Sequence, residues 1–239
     1  METISTVCDF RQVRLLLRGE TEFLQDSIRR WAKPRVLICV VTIVLGAGLY
    51  GAAMGAWRAP LQAFSTALKF PLVLLLTTLG NALLNGMLAP LLGLNIGFRQ
   101  ASLVILMSFT ITSAILGSFS SLVFFITWNA PSISAPSGSS LLCYSFMQLT
   151  HVALIAYAGI MGNVRLVPLL QTLSGSASVA RNVLFAWLAS NLLLGSQICW
   201  VLRPFIGPPN LEVEFLSSHP LQGSLFETAF DAARQLLFH

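Results

Sequence analysis

Between Lys69 and Arg165 the only fixed charge is Arg99, and the stretch that follows it, Gln100 to Val164, carries none. A water-soluble fold needs charged side chains on its outer faces, whereas a charge at the centre of a bilayer costs about 2.5 to 3.5 kcal/mol. The chain is therefore built for lipid. Of its 239 residues, 55% are hydrophobic and 10% charged. That suits a single membrane bundle with modest pieces outside it. A span needs roughly 20 apolar residues at about 1.5 Å each, and the windows 36–57, 70–92, 101–128, 140–162 and 182–202 meet that test. The expected fold is all-α: a five-transmembrane-helix bundle over 35–205, preceded by an amphipathic segment, 1–34, and followed by a tail, 206–239, with a short amphipathic helix.

The charges set an orientation. Arg11, Arg14, Arg18, Arg29, Arg30, Lys33 and Arg35 all precede the first span. With the N-terminus cytoplasmic, the same side gains Arg99, Arg165 and Arg181, while Arg58, Lys69, Arg203 and Arg234 fall outside, as the positive-inside rule requires. The net charge of +5 thus reports orientation, with some attraction to anionic lipid headgroups, and needs no nucleic acid. The expected location is a bacterial cytoplasmic (inner) membrane, with the C-terminus outside. The first apolar run is too long for a signal peptide. Cys8, Cys39, Cys143 and Cys199 form no CxxC pair, so neither a disulfide framework, a metal site nor any other cofactor is expected.

Outside the spans, Gly19 separates two short amphipathic segments. In the second, Thr21 caps a helix whose apolar face is Leu24, Ile28 and Trp31, suited to the cytoplasmic face of the membrane or the underside of the bundle. Behind Pro60 a short interfacial helix is expected, with Leu61, Phe64 and Leu68 on one side. The small and polar stretch from Leu173 to Ala180 reads as a mobile loop or, if helical, a packing surface. The prolines and glycine from Arg203 onward turn the chain sharply. In the tail, Ser224 to Phe238 places Phe226, Phe230, Ala233 and Leu237 on one helical face, to fold back on the outer surface of the membrane or bundle. Arg203 either pairs with Glu212 or Glu214, anchoring the tail, or snorkels to the headgroups.

Within the spans, Ala47, Gly51 and Gly55 recur every four residues, and Ala156, Gly159 and Gly162 form a similar stripe. Small residues at this spacing let a second backbone approach, from the same chain or from another subunit. Thr77, Asn81 and Asn85 share one face of the second span, Gln148 and His151 face similarly in the fourth, and Asn191 and Gln197 lie in the fifth. These polar groups either hydrogen-bond between helices or line a polar pathway. No carboxylate or lysine is expected at mid-membrane, where proton-coupled carriers place one. With the carboxylates confined to the terminal segments, no catalytic residue is expected.

The order of a basic N-terminal segment, five closely spaced spans and an outer C-terminus resembles the Yip1-like family of small multispan proteins. Leu49-Tyr50-Gly51 is similar to that family's Asp-Leu-Tyr-Gly-Pro signature, with Gly48 and Ala52 in place of the Asp and Pro. Gly48-Leu-Tyr-Gly51, Met54-Gly55, Gln62-Ala63, Leu68-Lys69, Ser196-Gln197 and Trp200-Val-Leu-Arg-Pro-Phe-Ile-Gly207 resemble, more specifically, a group of bacterial Yip1-like membrane proteins without an assigned activity. The resemblance implies a non-enzymatic role in membrane organisation through protein contacts. Two functions are thus expected to compete: a membrane scaffold or accessory subunit with a membrane-protein partner or a second copy, and an oligomeric channel or passive permease lined by neutral polar residues.

Overall fold

The computed structural model describes residues 10–20, 26, 33–94, 96–131, 137–207, 215–216 and 222–238. Among them the regular structure is all helical: α1 (Phe10–Arg18), α2 (Lys33–Gly55), α3 (Pro60–Leu91), α4 (Phe98–Asn129), α5 (Ser137–Val164), α6 (Val167–Ser174), α7 (Ala177–Val201) and α8 (Leu225–Phe238). Five stretches, on α2, α3, α4, α5 with α6, and α7, are long and apolar enough to cross a membrane. The chain is a multi-pass membrane protein.

α2, α3 and α4 form the centre of the bundle. α7 packs on the far side of α3, α5 packs on α4, and α5 and α7 touch lightly. Small residues set this arrangement. A Cβ on Gly117 would lie 3.0 Å from the Cα of Gly46, so α2 and α4 cross backbone to backbone. On the other side of α2, a Cβ on Gly51 would lie 2.5 Å from the Thr66 carbonyl oxygen and one on Gly55 2.6 Å from that of Gln62. Ala47 is fully buried. The Ala47, Gly51 and Gly55 stripe therefore serves packing within the chain. The second stripe does so only in part. Gly162 abuts Ser108 and Thr112 of α4, but Ala156 is exposed and a Cβ on Gly159 would meet nothing within 4 Å. The inward face of α5 is instead Met147, His151, Ala158 and Gly162.

Three tryptophans gather at one end of the bundle. Trp57, Trp128 and Trp200 stand at one end of α2, α4 and α7, a level that amphipathic indoles favour. From Lys33 to Gly55, α2 covers about 33 Å at 1.5 Å per residue, close to the thickness of a bilayer's hydrocarbon core.

Two expectations for the connecting segments change. The interfacial helix behind Pro60 is not separate, because α3 runs unbroken from Pro60 to Leu91 with Pro71 inside it. Leu61, Phe64 and Leu68 are exposed on the outside of this continuous helix, and the opposite face, Gln62, Thr66 and Lys69, turns inward. The stretch around Leu173 is a compact corner, since Gly175, at φ 64°, ends α6 and Ser176 opens α7. In the tail, α8 docks on α5 through buried Ala232 and through Ser145, whose hydroxyl donates to Gln235 Oε1 at 2.7 Å, while Phe226 and Phe230 stay exposed. The segment expected to be capped by Thr21 lies outside the described residues.

Candidate functional site

Just past α7, Arg203 to Gly207 form a turn whose carbonyls need donors, and Pro204 supplies no N–H of its own. Those donors come from α3. Gln62, Thr66 and Lys69 recur at i, i+4 and i+7, on one face of a helix. Gln62 Nε2 donates to the carbonyl oxygens of Phe205 (2.7 Å) and Pro204 (3.1 Å). The Thr66 hydroxyl lies 2.7 Å from the Phe205 oxygen and 2.8 Å from the Gln62 oxygen of its own helix. Lys69 Nζ donates to Pro204 at 3.0 Å and stands 4.7 Å from the centroid of the Phe215 ring. Gln62 and Thr66 are 0% exposed, and Lys69 is 1%.

Lys69 corrects the charge reading. Gly48 of α2 lies against Ala67 and Pro71, and Gly51 against Thr66, so Lys69 is level with residues 48–51, about 10 Å inside Trp57 at 1.5 Å per residue. A lysine placed in the outer loop by sequence is in fact enclosed within the helix bundle. The cause is the rotation of α3: its leucine face takes the lipid, and its polar face is left for the bundle.

An aromatic series continues inward from the turn. Phe205 meets Phe70 edge-on at 6.2 Å, Phe70 lies 5.4 Å from Tyr50, and the Tyr50 hydroxyl is 2.8 Å from His151 Nδ1. Tyr50 is 0% exposed and His151 6%. At the rim, Arg203 stacks 3.7 Å over the Trp200 ring and donates to the carbonyls of Trp200 (3.1 Å) and Gln222 (3.0 Å). Trp200 Nε1 donates to Gln222 as well, at 2.9 Å. Arg203 thus ties the tail through Gln222; Glu212 and Glu214 lie outside the described residues.

No family model, curated protein or solved structure matches this chain. Tyr50, Gly51 and Gly55 on α2, Gln62 and Lys69 on α3, and the turn from Arg203 to Gly207 meet in space.

A second polar cluster lies deeper. Asn81 Nδ2 donates to the Thr77 carbonyl and Asn85 Nδ2 to Asn81 Oδ1, both at 3.0 Å, and the Ser190 hydroxyl of α7 donates to Asn85 Oδ1 at 3.3 Å. Thr77, Asn81 and Asn85 are all buried. The structure does not join Gln148 and His151 to this face: His151 bonds Tyr50, and Gln148 is half-buried. Asn191 is half-buried and Gln197 exposed. The hydroxyls of Thr110, Thr112, Ser118, Ser120 and Ser121 donate to carbonyls of α4 itself, and that of Thr112 also reaches the Ala158 carbonyl of α5 at 3.3 Å. A groove of about 320 Å³ opens at the tryptophan-bearing ends of α2, α3 and α4, lined by Trp57, Pro60, Phe124, Thr127 and Trp128 among others. None of the membrane-depth polar residues lines it.

Sequence reasoning missed the donor row on α3 because Leu61, Phe64 and Leu68 drew the reading to the other side of the same helix. The signal was present as Gln62, Thr66 and Lys69 at helical spacing. It gained meaning only beside a donor-poor turn more than a hundred residues away.

Proposed function

We propose that the protein is a non-enzymatic scaffold or accessory subunit of a bacterial cytoplasmic membrane, with its N-terminus inside, in line with the Yip1-like resemblance. The observation that carries this reading is the use made of polar groups at membrane depth. Asn81, Asn85 and Ser190 bond one another, Tyr50 bonds His151, and Gln62, Thr66 and Lys69 bond the outer turn. A permease needs such groups along a wetted passage, whereas here they join α2, α3, α5 and α7 to one another and to the turn. The orientation is supported by Arg35, Arg99, Arg165 and Arg181 at one end of the bundle and the tryptophans at the other. The turn and tail offer a partner a rigid outer surface, built from Trp200, Arg203 and α8.

Purified protein in liposomes should pass neither ions nor small neutral solutes above the level of empty vesicles. In cells, photo-crosslinkers placed at Phe226 and Phe230 should capture one membrane protein reproducibly. Solute flux that disappears on Asn85→Leu or His151→Leu would replace this reading with a pore. An impermeant thiol reagent should label a cysteine placed at Glu227 and not one placed at Glu20.

A further inference from the structure

We propose that α1 and the α5–α6 turn form a binding site for the phosphate of an anionic phospholipid headgroup, built from Arg14, Arg18 and Arg165. The site is independent of whether the protein scaffolds or conducts.

The site begins with how α1 is held. Leu16 is 4% exposed and belongs to the main apolar core, so one side of this short helix is fixed to the bundle. Its end is fixed as well. Gly19, at φ 70°, closes the helix by donating to the carbonyls of Leu16 (3.0 Å) and Leu15 (3.2 Å). A Cβ there would lie 3.2 Å from the Arg165 carbonyl oxygen, and Cβ and Cδ of the Arg165 side chain are within 4.0 Å of the same point. Glycine therefore lets α1 dock directly on the residue that follows α5. The docking brings the Arg165 side chain alongside the last turn of α1.

Arg14 and Arg18 lie one turn apart on the side of α1 away from Leu16, and with Arg165 they are exposed. The acids near them are few among the described residues. Glu20 stands 3.9 Å from Arg18, with both side chains about half exposed or more, and Asp26 is engaged by Arg35 at 2.9 Å. An exposed pair of the first kind contributes little. Guanidinium forks match phosphate oxygens in pairs, which gives a three-arginine cluster a preference for phosphate. Lipid is the favoured source because Arg165 directly follows a span, and α1 is held at the same level. The cluster therefore stands at the polar edge of the bilayer, where anionic headgroups are concentrated.

The test uses the full chain in nanodiscs of phosphatidylcholine, or of an equal mixture with phosphatidylglycerol, followed by native mass spectrometry of the retained lipid. Phosphatidylglycerol should be retained in preference to phosphatidylcholine. Arg14→Gln, Arg18→Gln and Arg165→Gln together should weaken retention by about a hundredfold, each arginine near an anionic surface contributing about a factor of five. The pair Lys33→Gln and Arg181→Gln should leave it nearly unchanged. Should the triple variant not fold, Arg14→Gln with Arg18→Gln, both on the exposed side, should still lower retention about twentyfold on the same scale. The site is overturned if these variants retain phosphatidylglycerol as the parent does. Equal loss in the Lys33 and Arg181 pair would overturn it in favour of diffuse attraction, and displacement of the lipid by a polyglutamate peptide in favour of an acidic protein segment.

Discussion

Lys69 donates to the carbonyl of Pro204 at 3.0 Å while only 1% exposed, so a charged residue of α3 and a donor-poor turn after α7 complete each other inside the bundle. Two further donors serve the same turn, which makes the contact of α3 with the turn after α7 a small redundant network rather than a single bond.

Redundancy predicts non-additive losses. Gln62→Leu leaves Thr66 on the Phe205 oxygen, and Thr66→Val leaves Gln62 there. Each change alone should cost about 1 kcal/mol, the net worth of an ordinary hydrogen bond. Together they orphan a half-buried carbonyl, and the pair should exceed the sum of the singles by about 1 kcal/mol. Thermal unfolding in detergent of the four proteins in the cycle measures this; strict additivity would mean the carbonyl finds another donor.

At Lys69, charge and donor act in opposite directions. Lys69→Met removes the ammonium's burial cost and one bond, while Pro204 keeps Gln62, so stability should change by no more than about 1 kcal/mol. Lys69→Glu instead sets an acceptor against the Pro204 oxygen and buries an unpaired anion. Folded yield should collapse for Glu and persist for Met, read by monodisperse recovery in detergent.

The glycines of α2 and α5 should separate by their surroundings. Gly51→Val and Gly55→Val drive side chains into the α3 backbone and should each cost about 3 kcal/mol or more, beyond ordinary overpacking. Gly159→Ala meets open space and should be neutral or slightly stabilising, since alanine is the better helix former by about 1 kcal/mol. Melting temperatures of the three variants in one detergent decide the matter.

The deeper cluster should be stabilising and of modest strength. Asn85→Ala breaks the bonds to Asn81 and Ser190 and should lower stability by about 1 to 2 kcal/mol, with Ser190→Ala nearer 0.6 kcal/mol, the usual range for polar contacts between membrane helices. Steric-trap or denaturant unfolding in bicelles gives both values. An asparagine variant as stable as the parent would mean that Asn85 is not a joint between α3 and α7.

Much of the fold was legible along the chain, because lipid imposes its demands locally. Each span had to exclude charge over its own length, so the five apolar windows and the bounds of α2, α4 and α7 were recoverable to within a few residues. The pairing of polar groups was not legible, since 3.6-residue periodicity gives a helix a polar face without saying which neighbour that face meets. Asn85 and His151 looked alike by this measure, yet one bonds α7 and the other Tyr50 of α2. Ala156 and Gly162 looked like one stripe, yet only Gly162 meets α4.

By itself, the sequence determined membrane residence, the number of spans and the set of residues that had to be satisfied away from water. Tertiary structure alone decided which side of α3 faces lipid, and with it the fate of Lys69. The leucine face of that helix gains by facing acyl chains. Its polar face could turn inward because the turn after α7, with too few donors of its own, was waiting for Gln62, Thr66 and Lys69.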